Sequence, residues 1–72
     1  MDNSIELLDV VALTEDRPEA GLVRGQVGTV VETLASGVFE VEFSDDQGKT
    51  YAMLPLKVEQ LIVLHTSPVR AS

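Results

Sequence analysis

There is no cysteine and no tryptophan in the 72 residues of this chain. Without thiols it has neither a disulfide framework nor a thiolate metal site, so its core must hold by packing alone. Its single histidine, His65, excludes a zinc site built from histidines, and it lies where the apolar sequence is already ending, a poor place for a Ser-His pair. Positive charge is also scarce: five Lys and Arg face twelve Asp and Glu, a formal net charge of -7. A phosphate-backbone ligand calls for a basic stripe that displaces counterions, and none is present, so nucleic acid is a disfavoured partner. No run approaches the ~18 apolar residues of a membrane span, and Met1-Asp2-Asn3-Ser4-Ile5-Glu6 lacks the basic opening of a signal peptide. These absences point to a cytoplasmic protein that does not insert into membranes.

Catalytic and ligand-binding motifs are equally thin. Gly48-Lys49-Thr50 echoes the end of a phosphate-binding loop, but Phe43 stands where the pattern needs its first glycine. Asp45 and Asp46 offer two oxygen ligands with no third acid at calcium-loop spacing, so they read as a turn. Glu40 and Glu42 share one strand face, yet acid-base work needs a carboxyl group buried in a cleft, and so short a chain has little room for one. The expectation is a protein that is not an enzyme, with no cofactor and no metal.

What is present is β-structure. Gly25 to Phe43 forms two β-rich arms joined at Ser36-Gly37, the pattern of a hairpin. Phe39, Val41 and Phe43 alternate with Glu40 and Glu42, which predicts a strand over Val38 to Phe43 with one core face and one wet face. Before it, Val27 and Val30 are spaced by three, and a β-bulge near Gly28 would turn both inward in a strand beginning at Gly25. A first strand is expected over about Leu8 to Leu13, followed by a long charged loop from Thr14 to Arg24 anchored by Leu22 and Val23. Ser44 to Lys49 is a polar reversal, and Thr50 to Leu54 is a fourth strand that Pro55 ends or confines to a sheet edge. Leu56 to Gln60 fits one 3₁₀ turn, Leu61 to Leu64 a fifth strand, and the residues from His65 onward a flexible tail. The expected fold is all-β: a small five-stranded SH3-like barrel, one domain with its core over about residues 7–64 and a 3₁₀ turn before the last strand. Closure of the barrel would hide most strand edges.

Leu7-Leu8-Asp9-Val10-Val11-Ala12-Leu13-Thr14, Gly21-Leu22, Arg24 to Glu32, Phe39 to Phe43 and Thr50-Tyr51-Ala52 together resemble a family of short bacterial proteins, frequent in cyanobacteria, catalogued as a domain of unknown function. The resemblance implies an SH3-like barrel without an assigned activity. Gly25 to Glu32 is also similar to the KOW motif of ribosomal and transcription-elongation proteins, which implies a nucleic-acid contact through Arg24 and the Gly25 to Thr29 loop. That similarity carries a single cation, Arg24, where RNA-gripping members are basic. The Gly-x-Val-Gly-Thr-Val string is shared with small SH3-like subunits of photosynthetic electron-transfer complexes, an analogy that suggests docking.

Domains of this size bury only about 60% of the surface their unfolded chains expose, so stabilisation by a partner or by self-association is compatible with the length. The functional expectation is a binding module that docks on a larger, basic protein or complex. Its candidate contact residues are Glu15, Asp16 and Glu19 in the charged loop, Glu40 and Glu42 on the wet strand face, and Tyr51, the only tyrosine.

Overall fold

The structure, a computed structural model, describes residues 5–65. The tail expected after His65 therefore lies outside the described residues except for His65 itself, which is exposed. Five strands, β1 (Val10–Leu13), β2 (Val27–Ala35), β3 (Val38–Ser44), β4 (Thr50–Lys57) and β5 (Leu61–Val63), form one antiparallel sheet in the order β4-β3-β2-β1-β5. The described residues contain no α-helix, and a 3₁₀ turn over Val58–Gln60 precedes the last strand. This is the all-β, five-stranded architecture that the apolar alternation predicts. The sheet brings Val11, Leu13, Val30, Phe39, Val41, Phe43, Leu56 and Leu61 into one buried core, completed by Ile5 and by Leu22 from the long loop.

The β2-β3 hairpin turns on Ser36-Gly37, with Ala35 opposite Val38. Gly37 has φ 75°, a left-handed conformation that an L side chain resists. Counting back from this turn without interruption would place Val30 opposite Phe43. Two register shifts in β2, between Val30 and Glu32 and between Thr33 and Ala35, instead place Val30 opposite Val41. Gly28 then falls at the level of Phe43. A Cβ on Gly28 would lie 2.7 Å from Val41 Cγ1, 2.9 Å from the Glu42 carbonyl oxygen and 3.0 Å from Phe43 Cδ2. The bulges thus lie beyond Gly28, at Val31 and Leu34, and not at Gly28 as the valine spacing suggests. Gly28 occupies an inward position in a regular ladder with Val11, and Val27 faces outward at 47% exposure.

Several boundaries differ from expectation for physical reasons. Leu7 and Leu8 form an exposed turn rather than the start of β1: Asp9 N–H donates to the Glu6 carbonyl (3.0 Å) and Glu6 N–H donates to Asp9 Oδ2 (2.8 Å). Leu8 takes φ 74° there, and its N–H is tied to the Val30 carbonyl (2.7 Å). β2 begins at Val27 because Gly25 and Gln26 close the long loop onto Leu13, through Gly25 N–H to the Leu13 carbonyl (2.8 Å) and Leu13 N–H to the Gln26 carbonyl (3.0 Å). β4 runs through Pro55 to Lys57, since it is an edge strand where a missing N–H is tolerated, and the 3₁₀ turn is shortened to Val58–Gln60. β5 ends at Val63, one residue before the expected Leu64.

The long loop is more ordered than its composition suggests. It contains a second 3₁₀ turn, Pro18–Ala20, bracketed by an Arg17-Leu22 bridge. Leu22 is the apolar anchor and is fully buried, whereas Val23 points to solvent. Barrel closure is incomplete, because β4 and β5 are the two ends of the sheet and do not pair. The β4 edge carries Pro55 and Lys57, residues that discourage strand addition.

Candidate functional site

The charged residues of the loop are placed by their own hydrogen bonds. Asp16 Oδ1 accepts from Arg24 N–H (2.8 Å), closing the loop across its neck, so this carboxylate is a structural cap as much as a contact group. Glu15 Oε2 accepts from Gln60 Nε2 (3.0 Å), and Gln60 Oε1 in turn accepts from Lys57 N–H (2.9 Å). Thr14 adds a hydroxyl bond to the Glu59 carbonyl (3.1 Å), which ties the loop to the Val58–Gln60 turn. Glu19 pairs with Arg17, Oε2 to Nε at 2.6 Å. A hydrogen bond from its own backbone N–H and then the Arg17 guanidinium hold the Glu19 carboxyl below the usual glutamate range. Among the described residues this is the one ion pair, so the other acidic groups there carry no matching cation.

Glu40 and Glu42 alternate with the buried Phe39, Val41 and Phe43 and stand half-exposed on the outer face of β3. Thr50 Oγ1 donates to the Glu42 carboxylate. Glu40 lies directly opposite Glu32 on β2 and opposite Pro55 on β4. Like charges opposite one another on antiparallel strands repel, so the fold sustains a small unfavourable term at this position. Glu32 is not among the candidates that the sequence offers. Without the shift at Leu34, the Ser36-Gly37 turn would pair Thr33 with Glu40, so the acidic pair exists only through that bulge. No hydrogen bond or ion pair joins the loop acids to Glu32, Glu40 or Glu42 among the described residues. The acidic candidates form two groups.

Tyr51 sits at the β3-β4 irregularity between Phe43 and Ser44 and is 49% exposed. Its ring leans on Phe43, with centroids 6.5 Å apart and planes at 41°. Gln26 Nε2 donates to its hydroxyl (3.0 Å), and Gln26 Oε1 accepts from Val23 N–H (2.7 Å). One glutamine thus joins the long loop to the aromatic ring. Nothing in the sequence pattern marks Gln26, because the contact spans 25 positions and depends on strand order. Beside the ring is a shallow depression of about 580 Å³ lined by Gln26, Ser44, Asp45, Asp46, Gln47 and Tyr51. The turn that forms its far wall is pinned by Asp45 Oδ1, which accepts from Gln47 N–H and Lys49 N–H, both at 2.9 Å.

The alternative contact group, Arg24, is exposed at the end of the same loop, with its backbone N–H held by Asp16. None of the buried residues in the described region is polar or charged. Three or more His, Asp or Glu side chains nowhere gather in metal-binding geometry among those residues. No helix among them is long and apolar enough to cross a membrane.

Comparison with curated proteins and with solved structures gives no match. Residues 7–63 match the family described as "Domain of unknown function (DUF4926)", a span from the Leu7-Leu8 turn to the last residue of β5, and on that match the chain belongs to this family.

Proposed function

We propose that this protein is a non-enzymatic docking module that binds a basic surface of a larger cytoplasmic protein or complex through its outer acidic face. The observation that carries the reading is the Glu32-Glu40 pair across β2 and β3, with Glu42 beside it and no cation matched to any of the three among the described residues. Cross-strand pairs of opposite charge favour a sheet and like pairs oppose it, so neighbouring glutamates serve the fold poorly. They suit a partner whose Lys or Arg side chains lie across them, where the charges steer and orient encounter. Glu15 extends the negative field at the loop, where the charge of Glu19 is offset by Arg17, and Tyr51 supplies a half-exposed aromatic contact. The KOW-like reading is weaker, since Arg24 is bordered by Asp16 and no basic stripe continues from it.

The test is recovery of partners from native cell extract with the tagged protein, at low and high salt, beside the Glu40→Lys/Glu42→Lys variant. The parent is expected to retain one basic protein or complex at low salt and to release it at high salt, and the variant is expected to lose it. The variant should stay folded, because Glu40→Lys replaces a like-charge pair with an opposite-charge pair across from Glu32. A folded variant that retains the partner as well as the parent does refutes the acidic face. Recovery that instead depends on nuclease-sensitive RNA or DNA transfers the case to the KOW-like contact.

A further inference from the structure

We infer that the cleft beside Tyr51 is a receptor for a single cationic side chain, the guanidinium or ammonium end of an Arg or Lys presented by the partner. The inference rests on the docking reading and names the anchor within it. Three features of the cleft converge. One wall is the Tyr51 ring, half-exposed although it is held in place by Phe43 and by the Gln26 bond to its hydroxyl. A cation that reaches the face of a tyrosine ring is attracted by its negative π surface, and a fixed ring loses little freedom on binding. The opposite wall is the turn at Asp45 and Asp46, where Asp45 Oδ1 accepts from two backbone N–H groups. Asp46 has no hydrogen-bond or ion-pair partner among the described residues, which leaves its carboxylate available to an incoming donor.

The other lining groups fit the same chemistry. Ser44, Gln47 and Gln26 contribute polar atoms around the rim, and the cleft has no lysine or arginine in its lining. An anion would meet two carboxylates, and an apolar side chain would leave those polar groups without water or partners. A cationic head with an aliphatic stem satisfies both parts, with its charge beside Asp46 and its stem against the ring. At about 580 Å³ and open to solvent, the depression accommodates the end of one long side chain. Its two walls are the Tyr51 ring at the start of β4 and the β3-β4 turn that precedes it, and the loop before β2 contributes Gln26. Gln26 ties the Tyr51 ring to that loop.

The experiment titrates ¹⁵N-labelled protein, at low ionic strength, with N-acetyl-arginine amide, N-acetyl-lysine amide and the uncharged N-acetyl-citrulline amide. The two cations are expected to shift the Gln26 side-chain amide and the Gln47 and Tyr51 backbone amides in a saturable manner, and citrulline amide is not. Asp46→Asn and Tyr51→Leu should each weaken the response roughly two- to five-fold, the size expected when one exposed ion or cation-π contact is removed. Asp46 lies in an exposed turn, so the asparagine variant keeps the fold and the test stands even if the Tyr51 variant does not. The proposal is overturned if the cleft resonances do not move, if citrulline amide moves them equally, if the shifts spread evenly over all acidic residues, or if Asp46→Asn leaves them unchanged. A silent cleft together with a partner that still depends on Glu40 and Glu42 removes this inference and leaves the docking reading intact. A responsive cleft with a partner indifferent to those glutamates does the reverse.

Discussion

Replacing Gly28 with alanine tests the packing logic of the whole sheet. The new methyl would meet Val41 Cγ1 at 2.7 Å, Phe43 Cδ2 at 3.0 Å and the Glu42 carbonyl oxygen at 2.9 Å. Val41 and Phe43 are fully buried, so either side chain can give way only by moving against its core neighbours. The Glu42 oxygen belongs to the backbone of β3 and moves only if the strand does. β2 is held from the other side by its ladder to β1, in which Gly28 faces Val11. Overpacking of this kind costs about 1–3 kcal/mol. Restricting the unfolded chain by losing a glycine returns about 0.4–1 kcal/mol. A net loss of about 1–2 kcal/mol is expected, a large part of the roughly 4–11 kcal/mol that a chain of this length commands. With a urea dependence near 1 kcal/mol per molar for so small a domain, the midpoint should fall by about 1–2 M. Far-UV circular dichroism in urea measures it, with Val27→Ala at the neighbouring outward position as a control expected within about 0.5 kcal/mol of the parent. A Gly28→Ala midpoint equal to or above the parent's would refute the close approach of β2 to Phe43.

Two further substitutions probe the turn and the loop. Leu8 holds φ 74° while 70% exposed, so Leu8→Gly removes a conformational cost of about 1–2 kcal/mol against an added unfolded-state entropy of about 0.5–1 kcal/mol. Thermal denaturation should show a melting point unchanged or a few degrees higher, and a clear fall would mean that the leucine side chain is needed where it now meets solvent. Glu19 should titrate below the ordinary glutamate range in carboxyl-detected NMR, and Arg17→Ala should raise it part of the way, because the bond from its own backbone N–H is the larger cause and remains. A carboxyl group with a depressed folded-state pKa stabilises the fold above its unfolded value and ceases to do so as pH falls through the folded value. The loop should therefore loosen only in acid below the ordinary glutamate range, and an unaltered Glu19 titration in Arg17→Ala would count against the ion pair.

Local pattern and tertiary structure divide this protein in a recognisable way. Strict alternation over Phe39 to Phe43 decides which face of β3 is buried, since a strand offers its side chains to opposite sides in turn. Ser36-Gly37 marks the hairpin because the left-handed backbone there favours glycine, and Pro55 marks β4 as an edge because it has no N–H. Leu22 is readable as the loop's anchor because it is an aliphatic residue within a charged tract, while Val23 beside it cannot point the same way. Spacing fails where a side chain is missing. Val27 and Val30 suggest a bulge between them, but the steric demand that governs the site comes from Phe43 on another strand, and only Gly28 can lie against it.

The candidate site follows the same division. Acidic composition and the outward position of Glu40 and Glu42 are properties of the chain itself. Their meeting with Glu32 is decided by a one-residue bulge at Leu34, which moves the partner of Glu40 from Thr33 to Glu32. Tyr51 is conspicuous as the only tyrosine, whereas the cleft beside it depends on Gln26 and Asp46 arriving from elements that share no local signal. The sequence by itself determined the strand periodicity, the turns and the sign of the charge, because these depend on backbone preference and on residue chemistry alone. Register across the β2-β3 pair, the close approach at Gly28 and the assembly of the Tyr51 cleft were decided by tertiary structure, because each depends on how distant segments meet when the common core is buried.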